Sequence, residues 1–201
     1  GHAMLHALYQ RNVRARTQFF VEWMALDLIR DAEGDVVRIA TDASSDTVFK
    51  GSMCFVAGNG DYRLRTRETK ASTDELELEA LTLALKYLLK VGACKAVIES
   101  DSVAALEAVE QIVHKRGSKA SRPGRTWRGV SSGARSRFQQ AWGDIQGQCE
   151  VDIRRVLGHA GDPLNRAADQ IAYMGLRAIA HPMKQSRETL REGIQKALSA
   201  L

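Results

Sequence analysis

The sequence predicts an α/β fold in which a mixed sheet carries helices on its faces. Two patterns predict it. Three strand-like runs follow one another with a hairpin turn between the last two, and beyond them helical and strand-like periods alternate along the chain. A third observation is composition: 44% hydrophobic and 26% charged residues over 201 positions, with three prolines, suffice for one substantial core plus short appendages. These figures exclude a mainly disordered chain, a collagen-like repeat and a disulfide-held miniprotein.

The elements follow in order. Between residues 4 and 30, Leu5, Leu8, Phe20, Trp23, Met24 and Leu28 recur among polar residues in a helical pattern, so 1–33 is expected to be a helical extension. The opening Gly1-His2-Ala3-Met4 reads as a cloning remnant without functional weight. After a turn over 31–35, three runs read as strands: Val36–Ala43, Val48–Ala57 and Tyr62–Thr69. Gly58-Asn59-Gly60-Asp61 joins the last two as a tight hairpin. A long amphipathic helix is expected from Thr73 to Val91, closed by Gly92. The short apolar run Ala96–Glu99 reads as a strand feeding a helix over Ser102–His114. Residues 111–143 read as a basic loop between helices, Val151–Leu157 as a further strand. Pro163, favourable in a first helical turn, opens a helix to Ala180. Pro182 separates it from a last amphipathic helix, 182–201, bearing Leu190, Ile194, Ala197 and Leu201.

No apolar run approaches the roughly 20 residues of a membrane span, and no secretory pattern opens the chain, so no membrane partner is expected. Cys54, Cys94 and Cys149 are odd in number, far apart in sequence and without C-x-x-C spacing. That pattern fits the cytoplasm or another reducing compartment and argues against a structural zinc site.

Charge is unevenly spread. The balance is 29 basic against 24 acidic residues, but 111–143 alone holds eight basic residues and no acid. The remainder is therefore 21 against 24, a mildly acidic body with one concentrated basic segment, as a polyanion-binding protein would carry. Arg122, Arg125 and Arg128 there are suited to phosphates, and Trp127 to stacking on a base or sugar. A solvated loop whose indole packs on the body explains the same residues.

Asp42 and Asp101 each end a predicted strand, and the carboxyl edge of an α/β sheet is where such folds build sites. A helix or turn cap explains either one alone. Glu77 is more informative. At about 100° per residue it falls among Leu81, Ala84, Leu85 and Leu88 on the apolar side of its helix, whereas Glu75 and Glu79 fall on the opposite, solvated side. A carboxylate on an apolar face must be paired, neutralised or metal-bound. An arginine partner explains Glu77 alone as well as a metal does. Beside Asp42 and Asp101 it would belong to a mutually repulsive cluster, for which divalent cations are the natural remedy. Asp169, on the polar side of its helix, reads by itself as a surface residue. His159 lies in the sharp loop Gly158-His159-Ala160-Gly161-Asp162-Pro163, and a loop histidine beside carboxylates is suited to relaying protons near neutral pH.

Four pieces in this order resemble the ribonuclease H family in its type-one, bacterial and eukaryotic form. They are Thr41-Asp42-Ala43-Ser44, the helix segment from Glu77 to Leu85, Glu99-Ser100-Asp101-Ser102, and the run from Gly158 to Asp169, which is the most specific. The resemblance covers about Val36 to Ala180. It implies a five-stranded sheet with the first three strands antiparallel, within a catalytic domain of 34–181 that carries 111–143 as a basic protrusion. It also implies two Mg²⁺ or Mn²⁺ ions held by Asp42, Glu77, Asp101 and Asp169, with His159 assisting water activation or product departure. The implied activity is endonucleolytic hydrolysis of the RNA strand of an RNA–DNA hybrid. Ser44, Asn165, Arg122, Arg125, Trp127 and Arg128 are the implied substrate contacts.

Three places depart from the family's pattern. Ser44-Ser45-Asp46-Thr47 replaces the usual glycine-rich turn, and Thr73-Asp74 stands where an Asn often precedes the helix carboxylate. Both places usually help to sense the ribose 2′-hydroxyl. Arg166 replaces the acid that usually follows the Asn. Two rival readings therefore accompany the hybrid nuclease: a nuclease of the same fold for structured RNA or DNA, and a non-catalytic nucleic-acid-binding module. The terminal helices, outside the resemblance, are expected to pack on the body or to form a dimer contact.

Overall fold

The computed structural model describes residues 36–46, 49–114, 130–157, 161–182 and 186–201. Ten elements run β1 (Val37–Ser45), β2 (Lys50–Ala57), β3 (Tyr62–Glu68), α1 (Thr73–Val91), β4 (Lys95–Ser100), α2 (Val103–His114), α3 (Ser132–Ile145), β5 (Glu150–Arg155), α4 (Pro163–Ala180) and α5 (Arg187–Leu198). The strands form one five-stranded sheet ordered β3-β2-β1-β4-β5. β1–β2 and β2–β3 are antiparallel; β1–β4 and β4–β5 are parallel. The mixed sheet and its helical layers are those expected from sequence. The N-terminal extension 1–33 lies outside the described residues.

Alternation along the strands sorts the core into two layers. Ile39 and Ala43 of β1, with Met53, Phe55 and Ala57 of β2, face α1, α2 and α3. Ala40, Cys54 and Val56 point the other way, onto Leu164, Ala168, Ile171 and Ala172 of α4 and Ile194 and Ala197 of α5. The C-terminal helix thus packs on the body, as one of the two expectations had it. It ends at Leu198, and Leu201 is exposed rather than apolar-face material.

The ends of α1 are set locally. Ser72 caps its first turn by accepting from the Glu75 N–H, and Gly92, at φ 67°, closes it in the left-handed region that costs a side chain energy. Asp162 caps α4 by accepting from the Leu164 and Asn165 N–H groups, with Pro163 in the first turn. Where α4 crosses the sheet, Gly175 lets it approach closely: an added Cβ would stand 2.6 Å from Leu64 Cδ1 and 2.7 Å from Ser52 Oγ. That hydroxyl donates to the Ala172 carbonyl at 2.7 Å, so strand and helix are also tied by a hydrogen bond.

The expected loop over 111–143 needs correction. Ser132–Ile145 is a helix, α3, capped by Ser131, and it buries Ala134, Phe138, Ala141 and Ile145 against the α1 layer. Its apolar residues recur at helical spacing, but the arginines between them and the glycines on either side obscure the period. A second correction follows from the first. Glu79 is 7% exposed, not solvated. It accepts from Arg137 of α3 and pairs with Arg67 Nη1 of β3 at 3.0 Å. Glu75, half-buried, accepts from the Ser131 N–H at 2.8 Å. The helix that sequence reading missed is what covers this side of α1.

Candidate metal centre

The parallel pairing of β1 with β4 brings the first two carboxylates together. The β1–β4 pairing ends at Ala40 opposite Glu99, and Asp42 and Asp101 each lie two residues beyond it. Asp101 follows the end of β4, but Asp42 sits inside β1, which runs on to Ser45 paired with β2, and not at a strand end as expected. Asp42 also pairs with Cys54 of β2 and shares its face of the sheet, toward α4. Glu77 arrives from the other layer, in the second turn of α1. The end of the sheet is where side chains from both layers can meet. One oxygen each from Asp42, Glu77 and Asp101 lies within 4.8 Å of the other two.

The electrostatics are those of crowded like charges in a partly desolvated place. Asp42 is 8% and Glu77 5% exposed. Burial first, then the charges of Asp169 and Asp101, push the Asp42 carboxyl up to about 8; the Ala43 N–H opposes this. Burial first, then Asp42 and Asp101, push Glu77 to about 9, again against the Ala43 N–H, which donates to Glu77 Oε1 at 3.2 Å. Glu77 Oε2 is buried with no hydrogen-bond partner among the described residues. No arginine neutralises Glu77 among the described residues; the guanidinium groups of this region are engaged at Glu79 and Glu99. A buried, unpartnered carboxylate oxygen facing two aspartates is an oxygen-rich donor set of the type hard divalent cations take. The residues present fit such an ion.

The other residues singled out from sequence are placed as follows. Asp169, half-exposed on α4, lies outside the 4.8 Å set but close enough for its charge to act on Asp42. Asn165, one turn before it, is 7% exposed and its Oδ1 is unpartnered among the described residues. Ser44 is half-buried in the β1–β2 ladder opposite Ser52, two residues past Asp42. His159, Arg122, Arg125, Trp127 and Arg128 lie outside the described residues.

Sequence reading overlooked a second charged group beside the centre. Glu99, 1% exposed, accepts from Arg38 Nε at 2.8 Å and from Arg154 Nε and Nη2 at 3.1 and 2.7 Å. Its signal was available: an acid within a short strand whose neighbour Ile98 is fully buried. Among the described residues no helix is long and apolar enough to cross a membrane. The three cysteines are free thiols.

The chain is 38% identical over 77 residues to the succinate dehydrogenase flavoprotein subunit of Coxiella burnetii and 40% identical over 76 to that of Oryza sativa subsp. japonica. Those stretches are 37% and 36% of this chain and only 13% and 12% of the flavoproteins. The ribonuclease H of Bordetella pertussis is 27% identical over 124 residues, 61% of this chain and 75% of that protein. The family model described as RNase H matches residues 34–177. That span takes in the whole sheet, α1 and most of α4, and with them all four acidic positions; the chain belongs to the RNase H family.

Proposed function

We propose that this chain is a metal-dependent endonuclease that hydrolyses the RNA strand of RNA–DNA hybrids. The observation that carries the reading is the convergence of Asp42, Glu77 and Asp101 within 4.8 Å, with Asp169 acting on Asp42 from α4. Mutually repelling carboxylates drawn from two strands and two helices lower the fold's stability unless they serve a cation.

Asp42 is the carboxylate on which the charges of both Asp169 and Asp101 act. With Asp169 it would hold one Mg²⁺ or Mn²⁺ on the side of the attacking water; with Glu77 and Asp101 it would hold the other on the side of the departing 3′ oxygen. When bound, such ions lower the pKa of water and neutralise charge developing on the phosphate. The interior of β1, the end of β4 and the second turn of a long helix hold Asp42, Asp101 and Glu77, so little reorganisation is needed as charge develops. His159, four residues before the start of α4 in sequence, would move the proton at the water or help the product leave. Asn165 and Ser44 would contact the substrate near the scissile bond, and Arg122, Arg125, Trp127 and Arg128 would hold the flanking backbone. The expected products carry a 5′-phosphate and a 3′-hydroxyl.

The test is Asp42→Asn on a labelled hybrid, with chelator as a control. Cleavage should be abolished while hybrid binding persists; a variant that cuts like the parent removes the proposal. The absence of the family's glycine-rich pattern at Ser44-Ser45-Asp46-Thr47 supports one other reading, a nuclease of this family for structured RNA or DNA. Parallel digestion of hybrid, duplex RNA and duplex DNA separates the two by which substrate is cut fastest.

A further inference from the structure

The strand and helix that carry Asp42 and Asp169 meet at a second charged point of opposite character. Arg38 stands on β1 four residues before Asp42, on the same face of the sheet and about 13 Å away along the strand. Its guanidinium donates to Asp162, the N-cap of α4, and through Nε to Glu99 at 2.8 Å. Asp162 precedes Asp169 by seven residues, about 10 Å along the helix. β1 and α4 are therefore drawn together at Arg38–Asp162 and pushed apart at Asp42–Asp169. Burial would raise the Asp162 carboxyl, but the Arg38 hydrogen bond and the α4 N–H groups outweigh it and hold it below the usual carboxylate range. Beneath the pair, Glu99 is gripped from its far side by Arg154, its partner on β5. Arg38 thus has a buried anchor and cannot swing freely into solvent.

We propose that the Arg38–Asp162 ion pair, seated on Glu99, is a latch that holds the start of α4 against β1 and so keeps Asp169 within reach of Asp42 before a cation arrives. Arg38 and Asp162 are positioning residues for metal capture, an assignment that rests on the metal-centre reading above. Without the latch, binding a cation must also pull α4 back against the repulsion of the two carboxylates, and affinity falls.

The sign of the effect separates a latch from a simple field. A field alone makes Arg38→Gln bind cations more tightly, because a nearby positive charge is gone, and makes Asp162→Asn bind more weakly. A latch makes both bind more weakly. Asparagine caps helices as well as aspartate does, so Asp162→Asn removes the charge and keeps the α4 cap. The experiment is calorimetric titration of Mn²⁺ into the full chain, with melting temperature in chelator measured alongside. Both variants should weaken Mn²⁺ binding by about two- to five-fold, the range for a partly exposed ion pair. The double variant should be no weaker than the weaker single, and Arg38→Lys should recover most of the affinity. Tighter binding by Arg38→Gln, or additive losses in the double variant, overturns the latch. So does a lower melting temperature with unchanged affinity, which marks a merely structural pair. A parent chain that binds no Mn²⁺ instead overturns the metal-centre reading, and the two failures are thereby told apart.

Discussion

Glu77→Gln should stabilise the metal-free protein, increasingly so as pH rises. The carboxyl is raised from its ordinary 4.5 to about 9, by burial above all, then by Asp42 and Asp101, with a smaller push from Asp74. A group whose folded pKa is raised contributes its stability fully below the unfolded value and loses it as pH climbs toward the folded value. The window here is about pH 4.5 to 9. At pH 7 the folded side chain must hold a proton that the unfolded chain releases at 4.5, a penalty of about 3 kcal/mol at 1.36 kcal/mol for each pH unit. At pH 5 the same arithmetic leaves less than about 1 kcal/mol. Glutamine carries no such penalty. Its oxygen can still accept from the Ala43 N–H, and its amide N–H groups face the aspartates instead of repelling them. Asp42, itself raised, is one of the charges acting on Glu77, so changes at the two residues are not the sum of separate shifts. The assay is thermal unfolding in chelator at pH 5, 6, 7 and 8. At pH 7 the variant should melt about 6–12 °C above the parent, and at pH 5 within a few degrees of it. Added Mg²⁺ or Mn²⁺ should raise the parent's melting temperature more than the variant's. Parallel pH slopes for parent and variant would refute the reasoning.

Three further outcomes test the packing that positions the site. Phe138→Ala should cost about 3–5 kcal/mol in urea unfolding, because its fully buried ring fixes α3 against α1. Gly175→Ala should destabilise by about 1–3 kcal/mol, since the new methyl group meets Leu64 and Ser52 where α4 crosses the sheet. Gly143→Ala, in open space on the exposed side of α3, should do the reverse and add about 0.5–1 kcal/mol, so the pair of glycine variants calibrates one measurement against the other.

Most of the element list was legible because its signals are local. The Thr73–Val91 helix is written in a period of apolar residues and a closing glycine; α4 is written in Pro163 and the run that follows. The strand carrying Asp42 was legible, though it runs on to Ser45 instead of ending there, and the angular position of Glu77 marked it as a carboxylate in need of a partner. Solvation was not legible. Glu77 and Glu79, two residues apart on one helix, are both buried, yet one faces aspartates and the other is neutralised by Arg67 and Arg137. Their difference depends on α3, whose period is masked by Arg135 and Arg137, and Arg137 turns out to be a partner for an acid on α1. Glu99 makes the same point from a strand, where two arginines from neighbouring strands let a charge sit inside the sheet.

The sequence by itself determined the α/β order of elements, the ends of the principal helices and the place of Glu77 on an apolar helix face, since propensity, capping and periodicity act over a few residues. Only the tertiary structure decided which carboxylates are paired and which are left facing one another. That depends on the dielectric and the counter-charges supplied by segments as many as 124 positions away, as with Arg38 and Asp162, and no local pattern carries it.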